Sequence, residues 1–98
     1  MAANKKLTGV IAGRTIKSAT QQEGALQITF SDNSTMKIKT GGQTPTDALS
    51  NHTIKSVRQS GVALNLDFTD GTSAPITLAE ATSSVMLRDG KGALEYAD

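Results

Sequence analysis

Residue types able to do chemistry are sparse in this chain. It has one histidine, His52, and no cysteine, which excludes a thiol nucleophile, a thiolate metal site and any disulfide. To hold a metal, His52 would need carboxylates such as Asp47 beside it, and no ligand cluster supports that. As a general base it lacks a nucleophile with an orienting acid, because Ser50 is near in sequence but falls on a turn. His52 therefore reads as a residue bordering a loop. Asp32, Asp70 and Asp89 are candidates for paired-carboxylate chemistry or for calcium. All three sit where turns favour aspartate for its bonds to nearby backbone, and that reading is preferred. Gly90-Lys91-Gly92 has the composition of a phosphate loop, but no helix follows to aim N–H groups at an anion. No enzyme activity, cofactor or metal is expected.

The basic residues offer more. Arg14, Lys17, Lys37, Lys39, Lys55 and Arg58 lie in or beside apolar runs. Thr15-Ile16-Lys17-Ser18 recurs as Thr53-Ile54-Lys55-Ser56, an offset of 38 residues that continues without a gap. Gln21 then meets Gln59, Leu26 meets Leu64, Phe30 meets Phe68, Asp32 meets Asp70 and Ile38 meets Ile76. The shared positions Lys17 and Lys55, Ser18 and Ser56, and Gln21 and Gln59 would form a twofold-related surface, flanked by Arg14 and Arg58. These eight residues are the candidate binding site. A lysine stripe there could hold phosphates; the plainer reading is lysines that keep strands soluble and blunt their edges. Shared serines and glutamines equally fit a duplication in which little has changed, or hydroxyls satisfying a bulged backbone.

Positioning these residues falls to short strands. Leu26, Ile28 and Phe30 alternate with Gln27, Thr29 and Ser31, as Leu64, Leu66 and Phe68 do with Asn65, Asp67 and Thr69. Period two is the mark of a strand with one dry face. Asp32-Asn33 and Asp70-Gly71 turn each strand back into another, through Met36 and Ile38 or through Ala74, Ile76 and Leu78. Pro75 lacks an N–H, which places its strand at a sheet edge or a bulge. The strand before each hairpin has Ile16 and Ala19, or Ile54 and Val57, three residues apart. A bulge in both copies reconciles that spacing with one buried face. Glu23-Gly24 and Ser60-Gly61 close tight turns.

Between the copies, Thr44-Pro45-Thr46-Asp47 reads as a helix start, giving one turn over Pro45 to Ser50 with Leu49 anchored in the core. Ser84 to Arg88 and Ala93 to Tyr96, around Asp89-Gly90-Lys91-Gly92, read as a final hairpin. One domain over residues 1–98 is expected, with repeats at about 9–42 and 47–80 and a hairpin at 84–97. The fold class is all-β: a small antiparallel barrel or two-sheet sandwich from a tandem duplication of a three-stranded meander. A core this small leaves room for a dimer interface to complete it.

Net charge is +1 and the isoelectric point about 8.1, so no global field draws the chain to nucleic acid or membrane. The apolar stretch Leu7 to Ile11 is too short and broken for a signal core or a span. A cytoplasmic setting is expected, and the sequons at Asn33 and Asn51 are read as chance. Function is expected in binding or assembly through exposed β edges or the pseudo-twofold polar surface, with a protein partner or self-association first. Nucleic acid or a nucleotide is the alternative partner, weakened because Phe30, Phe68 and Tyr96 are the only aromatics.

Overall fold

The computed structural model describes residues 2–42 and 49–98. In chain order the elements are β1 (Ala2–Ala3), α1 (Lys5–Ile11), β2 (Ile16–Gln22), β3 (Ala25–Phe30), β4 (Thr35–Lys39), β5 (Ile54–Ser60), β6 (Ala63–Phe68), β7 (Ser73–Thr77), β8 (Val85–Arg88) and β9 (Leu94–Ala97). The strands form two antiparallel sheets, one ordered β1-β5-β6-β7 and the other β2-β3-β4-β8-β9. No helix among the described residues is long and apolar enough to cross a membrane.

The alternating residues share one face, as period two requires. Leu26, Ile28, Phe30, Met36 and Ile38 are buried with Leu64, Leu66, Phe68, Ile76 and Leu78 in a single cluster. Leu49 joins it; the helical turn expected over Pro45 to Ser50 begins outside the described residues, and Leu49 to Asn51 form a turn.

β2-β3-β4 and β5-β6-β7 repeat each other pair by pair. Ile16 faces Phe30 and Ile54 faces Phe68, and each ladder slips one residue just after that pair, with Lys17 or Lys55 as the insertion. That bulge brings Ala19 and Val57 back to the dry side. The hairpins match too: Asn33 takes φ 71° where its counterpart Gly71 takes 89°, because asparagine is among the few residues that tolerate this region. The Asp32 carboxylate accepts from the Ser34 amide and hydroxyl, and Asp70 does the same for Thr72.

A barrel does not close among the described residues. The meanders meet at two isolated bridges, Thr15 with Thr53 and Thr40 with Leu78, each joining counterpart positions. The Thr15 and Thr53 hydroxyls lie 2.8 Å apart. Paired bonds from Gly13 N to Ile54 O and Asn51 N to Ile16 O frame the first bridge; Gly41 N to Thr77 O and Ala79 N to Lys39 O frame the second. Ladder groups that would close a barrel are taken by other partners: β5 receives β1, and β4 receives β8.

Among the described residues the fold is mostly β, as expected, with one helix, α1, that the alternation of the strands gave no sign of. Its sequence, Lys5-Lys6-Leu7-Thr8-Gly9-Val10-Ile11, is a poor helix former by propensity. Asn4 caps it, its side chain accepting from the Leu7 amide at 3.0 Å. Leu7 and Ile11, one turn apart, are fully buried. Packing, more than propensity, holds so short a helix.

Candidate binding surfaces

The eight residues singled out from the sequence divide between the two sheets. Arg14 precedes β2 and donates to both Glu95 carboxylate oxygens at 3.1 and 2.9 Å, with Asp32 at 3.9 Å and the Phe30 ring 5.9 Å beneath it. Its guanidinium is thus committed to tying β9 to the start of β2. At the counterpart position His52 stacks on Phe68 at 4.6 Å, with Nδ1 3.0 Å from Asp70 Oδ2. The same corner of each meander therefore holds a nitrogen side chain between a phenyl ring and a turn aspartate. Asp47 lies outside the described residues. Among those described, no group of three or more histidines and acids could hold a metal.

Lys17 and Lys55 are the bulge residues of β2 and β5, both exposed. Since β2 and β5 run antiparallel across the Thr15–Thr53 bridge, the two lysines diverge by roughly four residue steps, on the order of 13 Å. Ser18 is exposed on the outer face of β2. Its counterpart Ser56 donates to Asp67 Oδ2 at 3.2 Å, beside Arg58, whose Nε and Nη2 reach the same carboxylate at 2.8 Å each. Asn65 completes this group with a bond to Asp67 Oδ1 at 3.0 Å. The equivalent residues of the first meander, Ser18, Thr20, Gln27 and Thr29, carry no charge. Gln21 donates to the Ala25 carbonyl and the Thr40 hydroxyl, and Gln59 to the carbonyls of Gly61 and Ala81. Both glutamines serve as turn braces.

The turn and network carboxylates set an acid response. The Ser34 hydroxyl and amide hold the Asp32 carboxyl below its ordinary range, Arg58 does so first for Asp67, and the Thr72 hydroxyl and amide for Asp70. A carboxylate with a lowered folded pKa stabilises the fold fully above the ordinary aspartate value of about 4, and that contribution fades as pH falls through the folded value. We expect the melting temperature to hold from pH 7 to about 4.5 and drop between about pH 4 and 2. Asp32→Asn with Asp70→Asn should flatten that drop in calorimetric melts; an unchanged acid limb would refute the assignment.

Two surfaces remain that the sequence did not single out as units. The first is the outer edge of β2. In β5 the corresponding edge is covered: Ala2 and Ala3 pair with Gln59 and Arg58, the Asn4 amide donates to Val57 O at 2.8 Å, and the Val57 amide donates to Thr8 Oγ1 at 2.8 Å. Ala19 is the counterpart of Val57, so its N–H and C=O point the same way, and no strand covers that side of β2 among the described residues. β7 also ends a sheet, but carries Pro75 where β4 has Lys37. Lys37 pairs with Met86 of β8; proline at that position has no N–H to offer.

The second surface is a trough on the outer face of the five-stranded sheet, along β4 and β8. One hollow of about 430 Å³ is lined by residues including Lys37, Lys39, Ser83, Met86 and Asp98. A smaller one of about 140 Å³, sharing Lys37 and Met86, extends to Gln27, Thr35 and Arg88. Met86 and Arg88 come from the final hairpin, outside the repeat, which is why repeat matching could not reach them. Alternation in Val85-Met86-Leu87-Arg88 carried the only signal. No family model, curated protein or solved structure matches this chain.

Proposed function

We propose that this chain is a non-enzymatic assembly module that self-associates by pairing the β2 edge of one copy with the β2 edge of a second. One observation carries this reading: the same edge of the counterpart strand β5 is covered by β1 and α1, while β2 has no strand on that side among the described residues. An uncovered edge recruits an extended strand through backbone hydrogen bonds. The Lys17 bulge interrupts one end and Gln21 is engaged in its own turn at the other, leaving Ser18–Thr20 as the acceptor. An antiparallel pair centred on Ala19 sets Ser18 opposite Thr20 and Lys17 opposite Gln21, with no like charges facing. We infer that the two meanders arose by duplication, supported by the gapless 38-residue offset and the matching ladders. The copies then diverged at their edges, through Pro75 in one and appended strands on the other. We also take the compartment to be the cytoplasm, as suits a chain without cysteine.

The test is sedimentation over a wide concentration range. A concentration-dependent dimer is expected, and Ala19→Pro should remove it, as the N–H it deletes points outward. A pairing this short should be weak, with a Kd on the order of 100 μM. A wild-type chain that stays monomeric at millimolar concentration refutes the reading, as does a dimer that Ala19→Pro leaves intact.

A further inference from the structure

We propose that the trough along β4 and β8 binds an acidic peptide in extended form, with its carboxylates on Lys37, Lys39 and Arg88 and an apolar side chain on Met86. The inference is independent of edge pairing at β2.

Three features point to an anionic partner. Lys37, Lys39 and Arg88 are exposed on one face, and none of the three lies within ion-pair distance of a carboxylate among the described residues. Their other charged neighbour in the trough is Asp98, at one end. Arg88 is held in place by its bond to the Gly92 carbonyl at 2.9 Å. The charge is also local: the second meander has Pro75 and Thr77 where the first has Lys37 and Lys39.

The shape and the apolar floor favour a peptide over nucleic acid. Met86 is 41% exposed, opposite Lys37 in the ladder and shared by both hollows. An exposed thioether between cations suits a mixed apolar and acidic ligand, and methionine adapts to side chains of varied shape. Single-stranded nucleic acid stacks its bases on aromatics. Here Phe30, Phe68 and Tyr96 are all buried. Spacing fits as well. Lys37 and Lys39 are two residues apart on one strand, about 6.8 Å, which is also the repeat of alternate side chains in an extended peptide. Arg88, opposite Thr35, continues the row diagonally past Lys37. An extended chain lying along β4 can thus meet all three cations with every second residue.

The probe is a fluorescein-labelled octapeptide alternating glutamate with threonine, with one central leucine, read by anisotropy and by amide shifts in NMR at low salt. We expect saturable binding with shifts centred on Lys37, Lys39, Met86 and Arg88, weakened at high salt. Lys37→Glu with Lys39→Glu should cut affinity more than about tenfold, and Met86→Ser about threefold. These are surface positions, and unchanged melting curves will show that the variants remain folded. No binding at about 1 mM peptide overturns the proposal. So does binding that the double reversal leaves intact, tighter retention of a single-stranded oligonucleotide, or shifts confined to Ser18–Thr20, which would assign the peptide to the β2 edge.

Discussion

Replacing Phe68 with alanine should cost about 3–5 kcal/mol and lower the melting temperature by more than about 12 °C. A domain of this length holds only about 5–15 kcal/mol in total, so the variant stands close to unfolding at 37 °C. The size of the effect follows from where the ring sits. Phe68 is 1% exposed at the end of β6, opposite Ile54 across the ladder, in the cluster that both sheets share. Its removal leaves a void that the sheets cannot collapse into without breaking ladder bonds. The ring also supports His52, stacked at 4.6 Å and joined to Asp70. Phe30→Ala makes a matched experiment. Phe30 is fully buried opposite Ile16, and its ring carries Arg14 instead of a histidine. Both variants should lose similar stability, measured by urea unfolding at pH 7. Phe68→Leu, which keeps most of the volume, should lose less than about 1.5 kcal/mol. A loss below about 1 kcal/mol for either alanine variant would mean that the ring is not part of a packed core.

That experiment probes the part of the fold most legible in the sequence. Alternation through Leu26, Ile28 and Phe30 reports a dry face directly, because a strand side chain has only two directions to choose from. The three-residue spacing of Ile16 and Ala19 was informative for the same reason: only an inserted residue could restore the face, and Lys17 is that residue. Pro75 announced an edge by what it lacks. Three things were hidden. The helix α1 was obscured because Gly9 and the β-branched residues around it argue against helix, while Leu7 and Ile11 gain their stability from a core that sequence order does not reveal. The split into two sheets depends on which strands β1 and β8 choose, and both pairings span long stretches of chain. The candidate surface was gathered by the repeat, yet Lys17 and Lys55 belong to different sheets. Sequence equivalence marks related positions; it does not make them neighbours. Lys37 and Lys39 gain significance from Met86 and Arg88, which pairing with β8 alone supplies.

Leu7→Ala is the complementary large effect, expected at about 2–5 kcal/mol although it alters a seven-residue helix at one end of the chain. Leu7 is fully buried, and so short a helix has no stability apart from its docking. Weakening that docking has a second consequence. Thr8 accepts the Val57 amide and Asn4 donates to the Val57 carbonyl, so a loosened α1 exposes the edge of β5. Thr8→Val separates the two effects: it removes the hydroxyl acceptor while leaving Leu7 buried, and should cost only about 0.5–1.5 kcal/mol. In hydrogen exchange, the Val57 amide should lose protection in both variants, while amides inside β6 lose protection only with Leu7→Ala, through the fall in global stability. If uncovered edges drive association, Leu7→Ala under native conditions should also assemble beyond a dimer, because each copy then offers β5 as well as β2. A Leu7→Ala protein that loses stability but sediments like the wild type would separate the edge from assembly and leave α1 a packing element alone.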